Sequence, residues 1–113
     1  MGRSIQRFAA PLGLATLLLG ACAKSPDAIA PIAMPADMYA NMSCAAARAE
    51  VGAVAARLIA LSDQQRQAVT SDAMGVFLFG VPLGSLTGAD KEGLLATEKG
   101  KALALDARLA RCV

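Results

Sequence analysis

The chain has no histidine and no tryptophan among its 113 residues, and only three phenylalanines and one tyrosine. Without histidine the commonest general base is missing. Ser62, Ser71 and Ser85 lack the glycine-rich elbow that presents a nucleophilic serine, and no phosphate loop or dinucleotide fingerprint is present. Asp63, Asp72, Asp90, Glu92 and Asp106 are scattered, and each reads as a solvated surface charge. The expectation is a protein with no catalytic residues and no cofactor. Charge of one sign is also lacking: 11 Lys+Arg stand against 9 Asp+Glu, a net charge of +2. With no clustered basic face, nucleic acid is not an expected partner.

What is present begins at the N-terminal end. Arg3 and Arg7 precede an uncharged stretch, residues 8–23, that is sixteen residues long. A helix needs roughly 20 apolar residues to cross a bilayer, so the stretch is short for a permanent span. Pro11 and Gly13 weaken it further. A basic start, an apolar middle and small residues at the end make a secretory signal. The end reads Leu18-Leu19-Gly20-Ala21-Cys22, and Leu19-Gly20-Ala21-Cys22 resembles the lipobox of bacterial lipoproteins. That resemblance implies cleavage after residue 21 and acylation of the Cys22 thiol by fatty acyl groups such as palmitate. It implies a cell-envelope protein facing the periplasm. Ala23, where an aspartate would influence sorting, resembles outer-membrane cargo. An ordinary secretory signal cut at Ala21-Cys22-Ala23 and a retained anchor are the rival readings. N-myristoylation is excluded, because its motif needs Ser or Thr where Gln6 stands.

Removing residues 1–21 takes Arg3 and Arg7 away and leaves nine cations against nine anions. The remaining 92 or so residues make one small domain at most. With Cys22 given to lipid, Cys44 and Cys112 are left in a compartment where disulfides persist, and one bridge is the simplest outcome. Two cysteines without histidine do not fill a tetrahedral zinc site, so no metal is expected.

Residues 22–37 read as a flexible tether, punctuated by Pro26, Pro31 and Pro35 and without a core of its own. In polyproline geometry residues 23–35 would reach about 40 Å. Residues 38–113 read as an all-α domain, an antiparallel helical hairpin. Its first helix is expected over about 38–73, with Asp37, Asn41 or Ser43 as N-cap and Gly75 as the stop. Cys44, Ala47, Val51, Val54, Leu58, Leu61, Gln65 and Ala68 form a coiled-coil-like stripe at spacings of three and four. A second helix is expected from Thr87, opened by Thr87-Gly88-Ala89-Asp90. Leu95, Glu98, Ala102, Leu105, Leu109 and Cys112 form its stripe, and Arg108 and Arg111 suit the negative end of its dipole.

Pairing Cys44 with Cys112 sets the register. Ala47 then faces Leu109, Val51 faces Leu105, Val54 faces Ala102 and Leu61 faces Leu95. Leu58 meets Glu98, whose carboxylate Arg57 can reach. The chain-entropy model gives such a bridge about 4 kcal/mol. The far side of the second helix carries Gly93, Ala96, Gly100, Ala104 and Ala107, a row of small residues. Either residues 77–86 or a partner helix approaching it closely would account for the row, and simple drift in an Ala-rich sequence is the rival reading.

Between the helices, residues 75–88 are apolar and hold Phe77 and Phe79, with Gly80, Gly84 and Gly88 at spacings of four. Pro82 argues against one continuous helix. The expectation is a flap folded over the hairpin with both phenylalanines in its core, since two helices alone bury little apolar surface. The alternative is a contact segment, with Phe77, Phe79, Leu83 and Leu86 touching a membrane or a partner. Met42-Ser43-Cys44, Gly75-Val76, Gly80-Val81-Pro82, Leu86-Thr87-Gly88, Lys99-Gly100 and Arg111-Cys112 together are similar to a group of small, uncharacterised proteobacterial lipoproteins. That similarity implies shared architecture and no activity. Three functions fit: a lipid-tethered structural or interaction module with an envelope partner or self-association, a membrane-active element, and a binder of a small apolar ligand.

Overall fold

The computed structural model describes residues 22–112. The expected signal sequence, residues 1–21, lies outside the described residues. All regular elements described are helical: a 3-10 turn Pro26–Ala28, then α1 (Cys44–Phe79), α2 (Leu83–Leu86) and α3 (Glu92–Leu109). The protein is all-α, and α1 and α3 pack as a hairpin.

Of the three candidate caps Ser43 is the one used. Its hydroxyl accepts the Ala46 amide at 3.1 Å, filling one of the donors a helix start leaves open. The expected stop at Gly75 is not a stop. The helix runs on to Phe79 and ends at Gly80, whose φ of 73° is the left-handed conformation glycine adopts without strain. Gly75 serves another end: a Cβ there would meet the Val81 carbonyl and lie 2.8 Å from Leu83. The chain turns at Gly80 and lies back against α1 at that glycine. The third helix starts at Glu92, later than expected, because Thr87 is otherwise engaged. Its hydroxyl donates to the Leu83 carbonyl at 2.8 Å and Gly88 takes a left-handed φ of 77°. Asp90 instead accepts the Glu92 amide at 3.0 Å.

Both stripes form the interface. Ala47, Val54, Gln65 and Ala68 of α1 and Leu95, Glu98 and Leu105 of α3 are buried. Ala47, Val54 and Leu105 make one cluster, with Val51, Leu58, Ala102 and Leu109 packed on it. Cys44 and Cys112 are bonded, their Cα atoms 5.9 Å apart. Arg57 donates to Glu98 at 3.0 Å across the seam, and Lys101 does so at 3.0 Å from Glu98's own helix.

Within residues 22–37, expected to be a flexible tether without a core of its own, Pro26 and Ile29 are buried against the hairpin while most of the other residues are exposed. Ile29 is buried with Leu95 and Ala96 in a second cluster, against Leu58 and Leu61. The Lys99 ammonium donates to the Pro26 and Ile29 carbonyls at 2.6 and 2.7 Å, and the Ile32 amide donates to the Ala96 carbonyl at 2.9 Å. This segment, rather than residues 77–86, meets the small-residue row of α3. A Cβ on Gly100 would run into the Ile32 carbonyl. Burial of Ile29 ties the middle of the segment to the domain's core.

Candidate functional site

The far end of α1 joins a polar clamp to an apolar tip. The clamp is Gln65 and Asp72, two turns apart on the same face and both buried. The Gln65 amide donates to the Lys24 carbonyl at 2.8 Å and to Asp90 at 2.9 Å, while its oxygen accepts the Lys91 amide. The Asp72 carboxylate accepts the Ser85 amide and hydroxyl, each at 2.6 Å, and the Ala23 amide. One side chain thus ties down α2, and both hold the chain immediately after Cys22. Among the described residues no buried side-chain nitrogen or oxygen lacks a partner.

Asp72 was expected to be a surface charge, and it is 2 % exposed. The signal for it was the stripe: Gln65, Ala68, Asp72 and Gly75 continue the spacing of three and four. Burial pushes the carboxyl up. The hydrogen bonds from Ser85, Ala23 and Gly84 outweigh this and hold it below the usual range. No cation neutralises it through a salt bridge among those described. Glu98 is also held low. Burial pushes it up, and the bonds from Lys101 and Arg57 prevail.

The tip overturns the expected flap core. Phe77 is 84 % exposed, Phe79 69 % and Leu86 68 %, with Met74, Val76, Leu78, Val81 and Leu83 exposed beside them. The connection does fold back on α1, but through its small face. Pro82 and Gly84 are the buried residues, and a Cβ on Gly84 would sit 2.6 Å from the Ala68 carbonyl. Backbone-to-backbone approach through glycines leaves no depth for a phenyl ring, so the rings point to water. The four residues expected as a contact segment, Phe77, Phe79, Leu83 and Leu86, are all exposed, the first two at the end of α1 and the other two on the returning α2.

Cys22 is half-buried and precedes Ala23, so it lies at this end as well. The Cys44–Cys112 pair is at the opposite end of α1, which at 1.5 Å per residue is about 54 Å long. No group of three or more metal-ligating side chains occurs among the described residues. A cleft lined by Tyr39, Ala104, Ala107 and Arg108 offers about 10 Å³, room for one water. No helix among those described is long and apolar enough to cross a membrane. No protein family, no characterised protein and no solved structure matches the chain, so the likeness to envelope lipoproteins rests on the quoted residues alone.

Proposed function

We propose that this is a lipid-anchored cell-envelope protein facing the periplasm, on the outer membrane, whose helical hairpin acts as a structural or protein-interaction module without catalysis. The observation that carries it is the Leu19-Gly20-Ala21-Cys22 motif at the end of a basic-then-apolar leader. The bonded pair Cys44–Cys112 supports it, because such a bridge persists in an oxidising compartment and is rare in a reducing one. The absence of histidine from the sequence supports a role without general-base chemistry.

Replacing Cys22 by Ser tests the anchor. The variant is expected to lose its acyl mass and leave the membrane fraction for the soluble periplasmic one. A Cys22→Ser protein that stays with the membrane, alongside wild type that carries no lipid, would contradict the anchor. Crosslinking in intact cells followed by pull-down then identifies the envelope partner or a second copy of the chain.

A further inference from the structure

We infer that the apolar tip, Phe77, Phe79, Leu83 and Leu86 with their exposed neighbours, is seated in the same bilayer leaflet that holds the N-terminal anchor. This deepens the lipid-anchor reading and rests on it.

Three observations on separate residues converge. First, residues 73–89 contain no Asp, Glu, Lys or Arg, a run of 17. Phe77, Phe79 and Leu86 in it lie mostly in water, because α2 meets α1 through Gly75, Pro82 and Gly84, with only the Leu83 side chain resting on Gly75. Large apolar side chains exposed in this number around the end of one helix mark a surface for a membrane or a partner.

Second, charged groups return further along α1 from the tip, where Gln65 holds the Lys24 carbonyl, Asp90 and the Lys91 amide. Lys24 pairs with Glu92 at 2.6 Å, and the Lys91 ammonium donates to the Gly88 carbonyl at 3.3 Å. An apolar end followed by charged side chains suits the layering of a bilayer surface, apolar groups in the acyl boundary and charges toward the water.

Third, the chain that carries the anchor is bonded to the tip. Asp72 accepts the Ala23 amide, and Asp72 lies seven residues before Phe79, about 10 Å along the helix. Acyl groups on Cys22, one residue further, must enter the bilayer within reach of the phenylalanines. A retained apolar leader would enter at the same place, since it too reaches the domain through Cys22. A second copy of the chain would cover the patch equally well by area. Only the bilayer, however, is brought to this end by the protein's own covalent connection.

The protein has no tryptophan, so single tryptophans report position. Phe77→Trp, Phe79→Trp and, at an exposed site near the disulfide, Ala49→Trp are made in the full chain. Each protein is extracted from membranes and reconstituted into phosphatidylethanolamine–phosphatidylglycerol vesicles, with and without lipids brominated on the acyl chains. Blue-shifted emission and several-fold stronger quenching are expected for the two tip tryptophans than for the one at position 49. Equal quenching at all three positions overturns the inference. So does tip emission that is already blue-shifted without lipid in a protein that crosslinks as a dimer, which assigns the patch to a second copy. The mass of the same samples keeps the two readings apart. Protein without lipid on Cys22 removes the anchor. The tip inference is then sustained by quenching on addition of vesicles and refuted by its absence.

Discussion

Asp72 and Gly84 show how much a single position decides in so small a domain. The Asp72 carboxylate accepts from Ser85 and from Ala23, on two different segments, and removing it would leave those donors unsatisfied. An unsatisfied buried donor costs about 1–3 kcal/mol, so Asp72→Ala should lower the melting temperature well beyond the spread of surface variants. A melt like wild type would contradict the clamp. The pH dependence has a definite sign. Both Asp72 and Glu98 are held below their ordinary values. They therefore add stability above the unfolded pKa of about 4 and lose it as pH falls through the folded values. Melts followed from about pH 7 to about pH 3 should show stability falling below about pH 4. Asp72→Asn should flatten that fall, and an unchanged profile would remove Asp72 as its source. Gly84→Val would drive a side chain into the Ala68 carbonyl, an overpacking that typically costs about 1–3 kcal/mol.

At the scale of elements, the hairpin was legible because helical spacing of three and four is written plainly in both stripes. The Cys44–Cys112 register and the Arg57–Glu98 pair followed from it, and both are present. What was not legible has physical reasons. Residues 22–37 show no periodicity, because they bind through single residues, Ile29 and the backbone groups that Gln65, Lys99 and Asp72 engage. Gly75 carries the same local signal whether it ends a helix or accepts a returning chain, and only the position of Val81 and Leu83 distinguishes the two. The tip was misread for a related reason: apolarity alone does not say whether a segment is covered. Two predictions belong here. Phe77→Ala and Phe79→Ala remove exposed rings, so their melts should match wild type within about 0.5 kcal/mol. A loss near the 3 kcal/mol typical of a buried ring would restore the flap core. Reducing the disulfide releases cysteines 68 positions apart and should remove about 4 kcal/mol. A melt that is insensitive to reductant would contradict the bonded pair.

For the whole molecule, the two ends of α1 carry different duties. At one end the disulfide closes the hairpin, and Arg108 donates to the Met42 carbonyl at 2.9 Å beside it. At the other end the N-terminal segment, α2 and the loop before α3 all meet on Gln65 and Asp72. The apolar tip stands beyond them. With an anchor at Cys22 the tip would face the lipid and the disulfide end would face the periplasm, leaving the outer surfaces of α1 and α3 for a partner. Everything in this arrangement depends on what is attached at Cys22. The most direct test is the mass of the N-terminal peptide from protein isolated out of the membrane fraction. A chain that begins at Cys22 and carries acyl groups is predicted. A chain that begins elsewhere, with an unmodified Cys22 thiol, would contradict it.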